Sequence, residues 1–289
     1  MSSVEEHLVD NVFVSDMLTI KSSRTLQICE ANMARNKSNP NLLPIHAATW
    51  PCACARDLQL YIYPSTTFQY WFLLNIQQDM PAMVLVGQCG NSYDKVKFAL
   101  AFRLFVEKSK IFQDTTEIEF RAEAHFMDEI ATYAKELKNY QVADAEEYYM
   151  FYMTSEQMSN ALKDADYIIP DEQKSTALSE AFKKRIQHLP SSCVRETSTG
   201  KVVSYELRSF VGTMADQYTV PEYRRKGLGL AVEMTLAQKI ISLHEIPFKL
   251  VPSYMTSILF STQESPFWTM WSRNTLPVRY IIQTIKKIV

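Results

Sequence analysis

The sequence predicts an α/β protein of two domains, on three observations. Strand-like and helix-like segments alternate along it. The alternation runs twice over similar lengths, on either side of the polar stretch NYQVADAEE that begins at Asn139. In the second run, the stretch YTVPEYRRKGLGLAVEMTLAQKI from Tyr218 carries an apolar-periodic helix that opens on two glycines directly after three cations. A length of 289 residues suits two domains of ordinary size, and 47% hydrophobic with 21% charged residues is a globular composition with material for a sizeable core.

In the first run, LQLYIY from Leu58 is aromatic, β-branched and alternating, which predicts a strand; WFLLNI from Trp71 and AMVLVG from Ala82 predict two more. Asn91 and Ser92 can cap a helix reaching about Lys108. EIEFRA from Glu117 reads as a strand, and AHFMDEIATYAKELKN from Ala124 as an amphipathic helix. The stretch 139–147 reads as a linker. In the second run, YYMFYM from Tyr148 is a strand, and Thr154 and Ser155 cap a helix starting near Glu156. STALSEAFKKRIQHL from Ser175 is a further helix. SCVRE and KVVSYELR flank TSTG, a hairpin turn closed by Gly200. A long strand is expected from Ser209 into the glycine-bearing segment. PFKLV from Pro247 is the next strand, followed by a short helix from about Tyr254 and an aromatic tail ending in VRYIIQTI. Within that tail Phe267, Trp268, Trp271 and Tyr280 read as core in preference to the lining of an acyl or acceptor pocket.

A formal net charge of −2 carries no signature of a nucleic-acid or anionic-membrane binder. Apolar runs such as Ala82-Met83-Val84-Leu85-Val86 are too short to cross a bilayer. The N-terminus MSSVEEHLVDNVFVSDML holds acids and no arginine, so it resembles neither a secretory nor a transit signal. Five cysteines form an odd, scattered set. Cys52-x-Cys54 has His46 as its one nearby additional ligand, too few for zinc, so the cysteines read as reduced structural thiols and no metal is expected.

The glycine-bearing helix start demands an explanation. Arg224, Arg225 and Lys226 put positive charge where the helix dipole is already positive. Two of only six glycines, Gly227 and Gly229, stand there as well, although glycine within a helix costs about 0.5–1 kcal/mol relative to alanine. A bound anion resolves both points. Unpaired first-turn amides can hold it, missing side chains let it approach, and its charge balances the cations. The spacing is not a P-loop, which needs a longer glycine interval and a Lys-Ser/Thr ending, and no G-x-G-x-x-G is present.

A strand followed by Val220-Pro221-x-x-Arg224-x-x-Gly227-x-Gly229 and a helix resembles the coenzyme A pyrophosphate loop of the GNAT acyltransferase superfamily. With HLPSSCV from His188, NPNLL from Asn39 and Trp50-Pro51 in the same order, the chain looks like the glycine N-acyltransferase family. The resemblance covers most of the chain and is strongest from His188 to Pro252. It implies tandem GNAT-like domains: a degenerate one over 1–145 and, over 146–289, a GNAT domain with a mixed sheet and a splayed strand pair. The implied reaction is acyl transfer from acyl-CoA to a small amine, glycine or a related amino acid foremost. Alternatives are acetylation of another amine or a protein, or acyl-CoA binding without catalysis. The family suggests mitochondria, whereas the N-terminus suggests the cytosol.

In that frame the backbone of Arg225, Lys226, Gly227, Leu228, Gly229 and Leu230 holds the diphosphate, with Arg224, Arg225 and Lys226 adding charge at the rim. The strand edge at Tyr218, Thr219 and Val220 pairs with pantetheine amides, and an amide near Val220 polarises the thioester. The family's usual base lies eleven residues before Arg224, at Thr213, whose hydroxyl cannot serve. Substitutes are Glu206, acting through water, and Asp216, which strand alternation from Thr213 points to the other face. Thr256 stands where the family carries asparagine. Tyr254 reads either as a proton donor to the departing thiolate or as a packed ring with an exposed hydroxyl, and His244 as a cap at the helix C-terminus in preference to a catalytic group.

Overall fold

The computed structural model describes residues 17–20, 58–65, 69–76, 81–90, 92–163 and 185–288. The chain first forms strands β1 (Leu18–Ile20), β2 (Leu58–Tyr63), β3 (Tyr70–Asn75) and β4 (Ala82–Gln88), then helices α1 (Lys95–Ser109) and α2 (Ile111–Asp114). Next come β5 (Glu117–Glu123), α3 (Ala124–Glu136), β6 (Tyr140–Val142), β7 (Glu146–Tyr152) and α4 (Ser155–Lys163). Strands β8 (Ser191–Arg195), β9 (Val202–Arg208) and β10 (Met214–Thr219) lead through a 3-10 turn (Pro221–Tyr223) into α5 (Leu228–Ser242). The rest is β11 (Phe248–Pro252), α6 (Thr256–Gln263), the two-residue strands β12 (Thr269–Met270), β13 (Ser272–Arg273) and β14 (Leu276–Pro277), and β15 (Arg279–Lys287).

Two compact units result: one holds the described residues up to Tyr148 and from Val278 on, the other Tyr149–Pro277. The sequence reading divides the chain at 145/146 and carries the second domain to residue 289, whereas the compact units divide at 148/149 and residues from Val278 on group with the first. β15 runs antiparallel to β5 from Tyr280↔Glu123 to Lys286↔Glu117, which returns the C-terminal strand to the first unit. Nor is 139–147 a plain linker, because β6 pairs with β15.

The first unit's sheet has the order β1-β2-β3-β4-β5-β15, with β6 on β15. It is antiparallel except for β4 and β5, which run parallel from Ala82↔Ile118 to Val86↔Ala122 across the α1 crossover. Its core is aromatic: Phe72 stacks on Phe105 with centroids 4.6 Å apart, and Phe98 and Phe126 lie 4.5 Å apart. The cap of α1 is Asp94, whose Oδ1 accepts the Lys97 amide at 3.0 Å, two residues later than the expected Ser92.

The second unit's sheet has the order β7-β11-β10-β9-β8, with β12 on β7. β8, β9 and β10 are antiparallel, and α5 then crosses over to β11, which is parallel to β10. The hairpin at TSTG is as expected, with Gly200 at φ 69° and its amide bonded to Glu196 O. Thr154 and Gln157 cap α4 reciprocally. The apolar stripe of α5, Val232, Leu236, Ala237 and Ile240, is buried. Trp268, Trp271 and Tyr280 are buried and Phe267 packs on the core. Most of the helix expected from Ser175, together with Cys29, His46, Cys52, Cys54, Asn39 and Trp50-Pro51, lies outside the described residues.

Candidate functional site

The long strand expected from Ser209 begins only at Met214. Residues 209–213 form the turn between β9 and β10, closed by Ser209 N–H to Thr213 O at 2.8 Å and Gly212 N–H to Ser209 O at 3.0 Å. Thr213, the expected base position, is therefore a turn residue. It is buried, and its hydroxyl shares a 2.6 Å hydrogen bond with Ser209 Oγ.

β10 then departs from strand regularity. Its register with β9 shifts between Ala215 and Tyr218, and Asp216 sits at φ 56°. A left-handed residue other than glycine costs about 1 kcal/mol, so something must hold it. On one side Arg185 Nη1 donates to Asp216 Oδ2 at 2.5 Å, while Arg185 Nε donates to Arg208 O at 2.8 Å. On the other side the side-chain amide of Gln217 reaches three acceptors. This bulge resets the side-chain alternation, so the expectation that Asp216 faces opposite to Thr213 by simple counting does not apply.

The bulge accompanies a parting of strands. β10 and β11 share the register pair Met214↔Lys249 and no other among the described residues, which leaves the β11-facing edge of β10 uncovered beyond it. In the first unit the corresponding parallel pair stays in register over five residue pairs. Along β10 the Val220 amide bonds back to Val203 O at 2.9 Å. The Val220 amide itself is therefore not free to polarise a carbonyl. Alternation directs the neighbouring Thr219 amide away from β9, toward the uncovered side.

After β10 the 3-10 turn closes with Tyr223 N–H to Val220 O at 2.9 Å, and the Tyr223 hydroxyl donates to Glu196 on the β8–β9 hairpin. Thr199 also donates to Glu196, and together these bonds hold the Glu196 carboxyl below its ordinary pKa. Arg225 at φ 63° and Gly227 at φ 79° turn the chain into α5. The Gly227 cap offers no side chain, the first turn of α5 holds no acid, and Ala231 N–H is the first amide bonded within the helix, to Gly227 O at 3.0 Å. Among the described residues, the amides from Arg225 to Leu230 donate to no protein carbonyl. In the first unit Asp94 fills the equivalent place with the protein's own carboxylate.

The three cations differ. Arg224 folds back, its Nε donating to Thr219 O at 2.9 Å and its guanidinium 5.8 Å from the Tyr218 ring. Lys226 Nζ stands 5.0 Å from the Tyr223 ring. Arg224, Arg225 and Lys226 are exposed, and among the described residues none pairs with a carboxylate. Gly229 brings the helix start against β10. A Cβ there would lie 3.6 Å from Gln217 Oε1 and 3.8 Å from Thr219 Oγ1, ordinary contact with no clash. The free helix N-terminus therefore abuts the uncovered strand edge.

Beneath them lies a polar network that the sequence did not reveal. Gln217 Nε2 donates to Gly229 O at 3.1 Å, Glu206 Oε2 at 3.2 Å and Glu233 Oε2 at 3.3 Å. Lys249 Nζ donates to Glu233 Oε2 at 2.7 Å and Trp268 Nε1 to Glu233 Oε1 at 2.6 Å, with Lys249 4.4 Å from the Trp268 ring. Glu206 is 3% exposed; burial and then the Glu233 charge drive its pKa well above the ordinary carboxylate range, against the opposing pull of Lys249 and Gln217. Glu206 was a candidate in the sequence; of the members that sequence reasoning missed, Lys249, a cation inside the apolar strand PFKLV, carried a signal, and Gln217 and Glu233 had none. Tyr254, in the turn before α6, is 65% exposed, and no hydrogen bond joins it to Glu206 or Thr213. His244, at φ 61°, donates its amide to Ile241 O and ends α5 as expected.

No protein-family model matches this chain, and no curated protein does. Among solved structures it is similar to a Drosophila protein solved by a structural genomics consortium, with a TM-score of 0.64 and 11% identity over 95% of this chain and 99% of that one. At that identity the likeness concerns the fold alone. It also matches a GCN5-related N-acetyltransferase-like protein from Streptococcus suis, with a TM-score of 0.39 and 13% identity over 89% of this chain and 99% of that one. A GCN5-related N-acetyltransferase from Sphaerobacter thermophilus matches with a TM-score of 0.41 and 8% identity, over 93% and 95%. Scores that low carry no argument about the site or its chemistry.

Proposed function

We propose that the second unit binds an acyl-CoA and transfers its acyl group to an amine, as in the GNAT superfamily, with glycine or a related amino acid as the foremost acceptor. One observation carries the reading: the free N-terminus of α5, with unpaired cations at its rim, lies against a strand edge that its parallel neighbour has left uncovered. A coenzyme with a diphosphate at one end and amides along its arm matches both halves. The diphosphate would rest on the amides from Arg225 to Leu230, with Arg225 and Lys226 beside it. The pantetheine arm would pair along the edge at Thr219, and an amide on that uncovered edge would hydrogen-bond the thioester oxygen as it gains charge.

Holding amine and thioester in line would supply most of the rate. The amine must attack as the free base, and its proton must leave with the solvent, or reach Glu206 where that carboxyl is ionised. Thr213 plays no part, because its hydroxyl closes a turn. Tyr254 stays available as an exposed phenol for the departing thiolate.

The experiment is thiol release on mixing acyl-CoA of varied chain length with a panel of amino acids, beside calorimetric titration with CoA. Turnover with an amino acid is the expected result; a chain that fails to bind CoA refutes the proposal. The burial of Glu206 favours a second reading, acyl-CoA binding without catalysis. Its mark is tight CoA binding with no thiol release for any amine.

A further inference from the structure

Coenzyme contacts in the second unit would fall on two elements, the start of α5 and the edge of β10, and a single side chain joins them. Gln217 belongs to the β10 bulge by its backbone and to the α5 first turn by its amide, through Gly229 O at 3.1 Å. The same nitrogen reaches Glu206 on β9 at 3.2 Å and Glu233, one turn further along α5, at 3.3 Å. Two amide hydrogens thus serve three acceptors on two elements that flank the bulge. Glu233 is itself fixed by Lys249 of β11 and by Trp268. The bulge therefore does not float: Arg185 holds Asp216 outside, and Gln217 holds the next residue inside.

We infer that Gln217 is a positioning residue for acyl transfer, holding the β10 bulge at a fixed offset from the α5 mouth so that a thioester carbonyl meets the uncovered strand edge when the diphosphate is seated. The inference rests on the acyl-CoA reading above. It assigns Gln217 no contact with the diphosphate, which the backbone of α5 would hold alone. An apolar side chain at 217 removes the amide that bridges Glu206 and Glu233 and frees the bulge from the helix. Binding then survives while alignment is lost.

The test reads alignment without needing turnover. Acetyl-CoA carrying carbon-13 at the thioester carbonyl is bound to the wild type and to Gln217→Leu, and the labelled carbonyl band is recorded by difference infrared spectroscopy. In the wild type the band moves to lower wavenumber on binding. In Gln217→Leu acetyl-CoA binds within about threefold of the wild-type Kd, and the band stays at its solution position. With an accepted amine, kcat falls about 100-fold while Kd holds.

Gln217→Glu serves if the leucine variant does not fold. A neutral carboxyl can donate where the amide did, whereas an ionised one meets Glu206, Glu233 and Asp216, of which Lys249 pairs with Glu233 and Arg185 with Asp216. The shift is therefore present at low pH and reversibly lost as pH rises. A wild-type shift in bound Gln217→Leu overturns the inference, as does bound wild type without a shift or a pH-independent Gln217→Glu. A wild type that binds no acetyl-CoA overturns the acyl-CoA reading itself, and the inference with it.

Discussion

Met214 of β10 and Lys249 of β11 are the one register pair these parallel strands share among the described residues. Beyond it, the Val220 amide is bonded to Val203 O while the Thr219 amide points to the side β11 has left. Amide exchange should register that difference. In the free protein Val220 exchanges slowly and Thr219 quickly; saturating acyl-CoA slows Thr219 and leaves Val220 as it was. Mass spectrometry with fragmentation, or nitrogen-edited NMR, reads both. Equal exchange at Thr219 with and without acyl-CoA would mean the strand edge is not where the coenzyme lies.

Gly229→Glu should abolish CoA binding without harming the fold. Its Cβ has room, at 3.6 Å from Gln217 Oε1 and 3.8 Å from Thr219 Oγ1. Replacing a helical glycine itself favours folding by about 0.5–1 kcal/mol. The new carboxylate occupies the anion's place, and a loss of about 3 kcal/mol in binding is roughly 100-fold in Kd. Calorimetry measures the affinity and a thermal melt the fold. Wild-type CoA affinity in a folded variant would remove the site.

Much of the fold was legible because its signals are local. The strand LQLYIY alternates, and the glycine-bearing start of α5 contradicts helix propensity and dipole at once, so it stood out. The parted strands and the network around Glu206 were not legible from the residues themselves. Gln217, Glu233, Lys249 and Trp268 come from four separate segments, and no periodicity links them. The bulge was hidden for a related reason. Counting eleven residues back from Arg224 assumes an unbroken strand, yet Thr213 lies in a turn and the register shifts after Ala215. Likewise β15 reads as a strand, but its partner β5 lies more than a hundred residues earlier.

Thr213→Glu should cost stability and gain no catalysis. Thr213 is buried, and its hydroxyl bonds Ser209 across the β9–β10 turn. A carboxylate forced into that turn carries a desolvation penalty on the order of 3 kcal/mol, while Thr213→Val loses the hydroxyl bond alone, about 1 kcal/mol. Chemical denaturation ranks the three proteins. If Thr213→Glu is as stable as the wild type and turns over faster, the position is a vacated base after all.

Arg225 and Lys226 should act on the ligand, and Arg224 on the loop. The first two are exposed and among the described residues pair with no carboxylate, so replacing both by alanine changes stability by less than about 0.5 kcal/mol. CoA affinity falls, and its dependence on salt flattens because two screened attractions are gone. Arg224→Ala instead loses the bond to Thr219 O and the contact with Tyr218. Titrations at two salt concentrations separate these outcomes. Salt dependence unchanged in the double variant would place the anion elsewhere.

Glu206→Gln should stabilise the protein, increasingly so as pH rises. Burial and the neighbouring Glu233 raise the Glu206 pKa well above its ordinary 4.5, with Asp216 adding to that shift and Lys249 and Gln217 opposing it. Above pH 4.5 the unfolded chain releases this proton while the folded chain retains it. The native state then binds more protons, and stability falls with rising pH until the folded pKa is passed. Glutamine carries no such proton and its carbonyl can still accept from Gln217. The melting temperatures of wild type and Glu206→Gln should therefore lie close together near about pH 4 and diverge toward about pH 8, with the variant higher. If instead the variant falls further below the wild type as pH rises, Glu206 is an ionised partner in the folded protein, and its buried carboxyl is a ready proton acceptor for the incoming amine.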